Sequence, residues 1–245
     1  MRLLAVILFV GSLVLNALAN RLPLNGKTTG ELSAQYPNLF VPAGVTFSIW
    51  GVIYLLLAAW TVTQFLSGGS ATGRRIAPWF ALASLLNGSW VLAWHYEFVA
   101  LSVVIMSGLL ITLLVLNTKL LPGRTTPDGT PPHLLARVAF GVYLGWISVA
   151  TIANVTALLV ASGWEGEPLS QAAWAMIMVL VGAGAGVVAV WRLRSPWVGL
   201  AVTWALMGIV LNRSGDVAAV AWTAGICAAI VAVSTLTGFL PRGAS

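Results

Sequence analysis

Residues 42–66 read PAGVTFSIWGVIYLLLAAWTVTQFL, without one charged side chain from Pro42 to Leu66. A helix needs about 20 apolar residues to cross the hydrocarbon core of a bilayer. In lipid the backbone polar groups of such a segment must bond to one another, which a helix achieves within itself. The stretch therefore reads as a membrane-spanning helix.

Working outward, seven more segments have the same character: Leu3–Ala19, Ile76–Trp94, Phe98–Asn117, Leu134–Ser162, Ser170–Trp191, Pro196–Leu211 and Val217–Leu240. The seventh in chain order, Pro196–Leu211, is the shortest. The fold class expected is all-α: a polytopic transmembrane helical bundle of about eight spans. Composition agrees, because 59% of the 245 residues are hydrophobic and 7% charged, against about 25% charged in soluble domains. Mean hydropathy is +0.96.

Charge tests the span count. With the N-terminus in the cytoplasm, Arg2, Arg74, Arg75, Lys119, Arg124, Arg137, Arg192, Arg194 and Arg242 fall inside, and only Arg21, Lys27 and Arg213 fall outside. Positive residues favour the cytoplasmic side. Glu31, Glu97, Glu165, Glu167 and Asp216 lie outside and Asp128 inside. The expectation is a multi-pass protein of a cell membrane, bacterial by its charge bias, with both termini cytoplasmic. The net charge of +6 is spread over single residues and one pair, with no basic stripe, so no nucleic-acid partner is expected. Cys227 is the only cysteine and His95 and His133 the only histidines, so no metal site is expected.

The first span has a rival reading. Arg2, an apolar run and Ala17-Leu18-Ala19 resemble a cleavable signal peptide, although one Arg is a thin basic region and the run is long. The following loop, Asn20–Val41, is rich in turn formers, and its Leu32, Tyr36, Leu39 and Phe40 are suited to folding back on the bundle. Pro122–His133, with Pro127-Asp128-Gly129 and Pro131-Pro132, reads as a connector.

The spans carry essentially no charge, which argues against ion-coupled transport through buried acids. His95, Tyr96 and Glu97 are the one place for acid–base chemistry, and the plainer reading is a surface turn. Catalysis is thus the less expected activity, an enzyme acting on a bound ligand with tryptophans as redox partners remaining an alternative, and no catalytic residue is assigned. Asn16, Asn87, Ser89, Thr151 and Asn154 lie in or near spans. They either bond between helices, at about 0.6–2 kcal/mol each, or, for Asn87 and Asn154, line a pocket. Gly182, Gly184 and Gly186 alternate in the sixth span and read as a packing surface. Of the twelve tryptophans, Trp79, Trp94, Trp164, Trp191 and Trp197 fall at span ends, as an interfacial belt does. Trp50, Trp90, Trp146 and Trp204 lie deeper, where they either pack or offer flat faces to a ligand.

Three motifs occur in order. Phe47-Ser48-Ile49-Trp50-Gly51-Val52-Ile53-Tyr54 follows Pro42; Leu86-Asn87-Gly88-Ser89-Trp90 stands in the third span; Tyr143-Leu144-Gly145-Trp146 continues to Asn154 in the fifth. Together they resemble the tryptophan-rich sensory protein/translocator protein family (TspO/MBR) over about residues 1–163. The resemblance implies a five-helix core at 1–163, often a homodimer, with three additional transmembrane helices in 164–245. It implies a pocket for a flat apolar ligand (tetrapyrrole, sterol- or isoprenoid-like) lined by Trp50, Tyr54, Asn87, Trp90, Tyr143, Trp146 and Asn154, with Asn20–Val41 as lid. No bound cofactor is implied, although a porphyrin or haem-like ligand is; membrane lipids and a second copy of the chain are the other expected partners. Binding or sensing is the expected role, with transport or a structural place in a membrane complex as alternatives. The sequence departs from the family pattern at Ala43, where a second Pro is usual, at Val142, which replaces a Pro, and at Val91, which replaces a Ser. Its lid is also longer.

Overall fold

The computed structural model describes residues 1–22, 24–66, 70–121 and 131–240. Most of the Pro122–His133 connector lies outside them, as do Arg124, Asp128 and Arg242. Nine helices occupy the described residues and no strand does: α1 Arg2–Arg21, α2 Thr29–Ala34, α3 Ile49–Leu66, α4 Ala71–His95, α5 Val99–Lys119, α6 Pro131–Ala161, α7 Gln171–Arg192, α8 Pro196–Arg213 and α9 Ala218–Phe239. Two 3-10 turns, Leu24–Gly26 and Gly44–Ser48, flank the loop that carries α2.

Seven of these helices are long and apolar enough to cross a membrane. The eighth long helix, α8, has 18 residues and closes on the polar pair Asn212-Arg213, so it falls short of the apolarity of its neighbours. Only Leu193–Ser195 and Ser214–Val217 join it to α7 and α9. Connections that short fold it back against both. Of the eight expected spans, seven are long and apolar enough to cross a membrane, and α8 packs among them without reaching that apolarity.

Hydropathy alone does not fix where helices start. The second span, expected from Pro42, opens on the 3-10 turn Gly44–Ser48 and becomes α-helix at Ile49, and just before it the Ala43 N–H donates to the Gly208 carbonyl of α8 at 2.9 Å. The third was expected to start at Ile76 but begins at Ala71, where the Ser70 hydroxyl accepts the Gly73 N–H at 2.9 Å. Such an N-cap lets the helix run outward through Arg74 and Arg75.

α1, α4, α5, α6 and α3 pack in that order around the first half of the chain, and α1 and α3 barely touch. α1 is integral to this bundle, with Ala5, Phe9, Ser12 and Asn16 buried. At one end of the bundle Trp60, Phe80 and Phe140 meet edge to face with centroids 5.1–5.6 Å apart, and Phe9 joins Phe80 at 5.4 Å.

The last three helices dock through small residues. A Cβ on Gly145 of α6 would stand 2.3 Å from the Val198 carbonyl of α8, so only glycine lets these backbones cross so closely. Of the three alternating glycines in α7, Gly186 abuts Val202 and Gly182 abuts Ile152, while Gly184 faces open space.

Candidate functional site

Aromatic rings from three helices meet at the end of the bundle that carries α2. Trp50 of α3 stacks on Tyr54 at 5.5 Å (19° between planes) and on Trp90 of α4 at 6.3 Å (25°). Trp90 stacks in turn on Trp94 at 5.9 Å (14°). Positions four apart share a helix face, so Trp50/Tyr54 and Trp90/Trp94 each form a ladder up one side of their helix. From α6, Tyr143 and Trp146 meet Trp50 edge-on at 6.0 and 6.2 Å, and Phe47 stands edge-on to Trp146 at 5.7 Å. These are the offset and edge-to-face geometries that the ring quadrupole favours.

Within this box lies a small cavity of about 50 Å³, lined by Phe47, Trp50, Trp90, Trp94, Trp146 and Asn154 among others. The indole N–H groups of Trp94 and Trp146 are buried and, among the described residues, have no hydrogen-bond partner. A buried donor left unpaired costs about 1–3 kcal/mol. Both residues line the cavity with their rings, while the two nitrogens themselves are covered by protein. A second cavity, of about 310 Å³, lies on the other side of Trp50 where α1 and α3 part. Tyr54, Asn16, Gly51 and Arg21 line it with Trp50.

Two amides order the box from behind. Asn154 Oδ1 accepts the Trp90 indole N–H at 2.9 Å, and its Nδ2 donates to Ser102 Oγ at 2.8 Å, tying α4, α5 and α6 together. Asn87 Oδ1 accepts from Ser12 Oγ at 2.7 Å, Asn16 Nδ2 at 2.9 Å and the Tyr54 hydroxyl at 3.1 Å. One carbonyl thereby holds α1 and α3 onto α4.

The described residues of the loop from 20 to 41 lie over the box, where Thr29 and Ser33 line its cavity. Thr28 caps α2 reciprocally with Glu31: Thr28 Oγ1 accepts the Glu31 N–H at 3.3 Å, and Glu31 Oε2 accepts the Thr28 N–H at 2.7 Å. That backbone hydrogen bond holds the Glu31 carboxyl below its ordinary value. Leu32 and Phe40 are fully buried, and Tyr36 leans on Trp94 at 5.7 Å. Burial, and then the Glu97 charge, raise the Tyr36 phenol. Two groups of contacts pin the lid. On the first half, Lys27 pairs with Glu97 at 2.6 Å and Asn25 donates to the His95 carbonyl at 3.0 Å. On the second, Asn212 and Arg213 of α8 donate to the carbonyls of Val41 at 2.8 Å and Asn38 at 3.2 Å, and Trp204 donates to Thr46 at 2.9 Å.

His95 departs from the surface-turn reading. Its side chain is fully buried: Nδ1–H donates to the Val91 carbonyl at 2.8 Å, which leaves Nε2 to accept from the Thr29 hydroxyl at 3.4 Å. It is a structural histidine under the lid.

Of the seven residues singled out from the sequence, Trp50, Trp90, Trp146 and Asn154 line the aromatic cavity, and Trp50 and Tyr54 the one beside it. Tyr143 packs on Trp50 and Asn87 is the buried hub; neither reaches either cavity. Trp94 and Phe47 were missed. Trp94 had been given to the interfacial belt, and its four-residue spacing from Trp90 was the available signal.

The arrangement offers uncharged ring faces, and among the described residues no titratable acid or base lines the aromatic cavity. Compared with known proteins, the chain matches the family described as TSPO-like protein across residues 2–237, a span that takes in α7, α8 and most of α9 as well as the first five long helices. No curated protein and no solved structure matches it.

Proposed function

Because the chain belongs to the TSPO-like family, we infer that this membrane-embedded protein is a binding or sensory protein for a flat apolar ligand with acceptor atoms on its edge, a tetrapyrrole being the leading class. The observation that carries this reading is an uncharged box of aromatic rings in which, among the described residues, the buried indole N–H groups of Trp94 and Trp146 have no partner and come within a ring turn of a guest's edge. Such donors suit a carbonyl, ether or carboxylate oxygen. The cavity of about 310 Å³ reaches the lower bound of small-molecule sites, about 300 Å³, and offers the ligand body the faces of Trp50 and Tyr54. Arg21 on its wall suits an acidic substituent.

The aromatic cavity of about 50 Å³ is too small for a macrocycle. Binding therefore requires the lid or Trp50 to give way, which fits a lid held by a handful of polar contacts. The lid end is read as facing the outside and the Arg74/Arg75 end as facing the cytoplasm of a cell membrane, following the charge bias.

The test is tryptophan-fluorescence titration of the purified protein with protoporphyrin IX, beside Trp50→Phe and Trp146→Phe. Saturable quenching that weakens in both variants is expected. Non-saturable quenching, equal in all three proteins, would remove the pocket from consideration. Transport of the same ligand is a second reading, favoured by the gap between α1 and α3 onto which the larger cavity gives. Proteoliposomes whose ligand uptake stays at background would sink it.

A further inference from the structure

A third cavity, of about 450 Å³, lies apart from the aromatic box, between the lid, the end of α6 and the start of α7. Its wall is apolar where Phe40, Val155, Leu159 and Met178 meet. Its rim differs. Trp164 and Trp174 stand edge to face there, 5.1 Å apart, and Glu165 and Glu167 line the same rim. The connection from α6 to α7 is shaped to present these four residues together. Gly166 takes φ +102°, a left-handed value that glycine alone adopts without strain. Its carbonyl accepts the Trp174 indole N–H, which fixes the ring against the loop. The two glutamates, on either side of Gly166, are both exposed, and among the described residues neither has an ion-pair partner. The two lid-side cations Arg213 and Lys27 are engaged elsewhere, by Asp216 at 2.7 Å and by Glu97 at 2.6 Å.

We propose that this cavity is a second binding site, for an amphiphile with an alkylated ammonium head and an aliphatic chain. An alkylated ammonium has few or no N–H groups to donate and is weakly hydrated, so it gains most from aromatic faces and nearby negative charge. Trp164 and Trp174 supply the first, Glu165 and Glu167 the second, and the apolar wall takes the chain. The volume lies within the range of small-molecule sites, about 300–1,000 Å³. Charge complementarity selects the cation: the same cavity repels a chain ending in sulfate or carboxylate. The site does not depend on what the aromatic box binds.

The experiment uses the full chain, labelled with 5-fluorotryptophan, in maltoside micelles. Fluorine resonances of Trp164 and Trp174 are assigned through Trp164→Phe and Trp174→Phe. The probe is decyltrimethylammonium, with decyl sulfate and decanol as chain-matched controls. Both resonances should move saturably with the ammonium and not with the sulfate. The half-saturating concentration should rise about tenfold in Glu165→Gln/Glu167→Gln, since removing complementary charge weakens an otherwise unchanged contact. The remaining ten fluorine resonances report whether that variant keeps its fold, since the chain has twelve tryptophans. Equal movement with all three probes, no saturable movement, or a glutamine variant that binds as well as the parent would each overturn the proposal.

Discussion

The indole N–H of Trp90 and Oδ1 of Asn154 lie 2.9 Å apart, 64 positions apart in sequence, and that single bond sets the plane of the central ring in the aromatic stack. Asn154 spends its other half on Ser102 at 2.8 Å. The amide thus serves both readings the sequence left open, since it bonds between helices and lines the cavity.

Asn154→Leu is expected to lower stability by about 1–3 kcal/mol, because it leaves the buried Trp90 donor unpaired. Thermal unfolding in detergent reads the loss. The same variant should weaken protoporphyrin quenching more than it shifts the melting midpoint of the ligand-free protein. A melting curve identical to the parent's would show that the Trp90 bond contributes nothing.

Asn87→Leu removes one carbonyl that accepts from Ser12, Asn16 and Tyr54, and leaves Asn16 Nδ2 its bond to the Ser12 carbonyl. The cost should be about 1–3 kcal/mol, and α1 should loosen before the rest. Hydrogen exchange across residues 5–20 should rise, while α8 and α9 keep their protection. Uniform deprotection would mean that α1 is not held separately.

The two halves of the lid are pinned by different parts of the chain, so their losses should add. Lys27→Met removes a partly exposed ion pair worth about 0–1 kcal/mol, and Asn212→Ala removes the bond to the Val41 carbonyl. Hydrogen exchange should quicken over residues 25–35 in the first variant and over residues 38–46 in the second. In the double variant both effects should appear and ligand association should be fastest. Sites without shared partners add to within about 0.5 kcal/mol. A double variant no looser than either single one would contradict this.

Acid should release α2 through Glu31. Its carboxyl titrates below the ordinary value because the Thr28 N–H favours the charged form. The stabilisation is therefore fully present above the ordinary carboxylate value of about 4.3. It is lost as pH falls through the lower folded-state value. Exchange of the α2 amides, once corrected for intrinsic rates, should be flat from neutral pH down to about 4.3 and rise as pH falls from there through the lower folded-state value. Glu31→Gln should abolish the step; a step that survives in the variant would belong to another group.

Gly145→Ala places a methyl where the Val198 carbonyl stands 2.3 Å away. Overpacking of this kind costs about 1–3 kcal/mol. α8 should be pushed from α6, and because α8 grips the lid, protection of residues 38–46 should fall too. If the lid keeps its protection while the melting point drops, the last three helices do not govern it.

The fold was largely legible because lipid imposes a simple rule on sequence: long uncharged runs are helices, and Pro42–Leu66 or Phe98–Asn117 can be little else. Helix ends were less so. They are set by side chains such as Ser70, or pass through a turn such as Gly44–Ser48, and hydropathy registers neither. The same reason hid His95 and Trp94. At a span end, lipid headgroup and protein lid are alike to a sequence, and only the path of residues 20–41 decides which one a ring meets. Trp50, Trp90 and Trp146 could be picked out because three motifs marked them. That Asn87 would gather three donors, two of them from α1, depended on packing between helices that no spacing reveals.

Trp50 and Trp90 lie nearly parallel, in stacking contact with each other, with 6.3 Å between centroids. The empty box is therefore self-sealed: its rings already occupy one another's faces. A guest that parted them would first forfeit that ring–ring contact, worth about 0.5–1.5 kcal/mol. Only a molecule that returns two broad flat faces recovers the loss, so the resident rings act as the competitor every guest must displace.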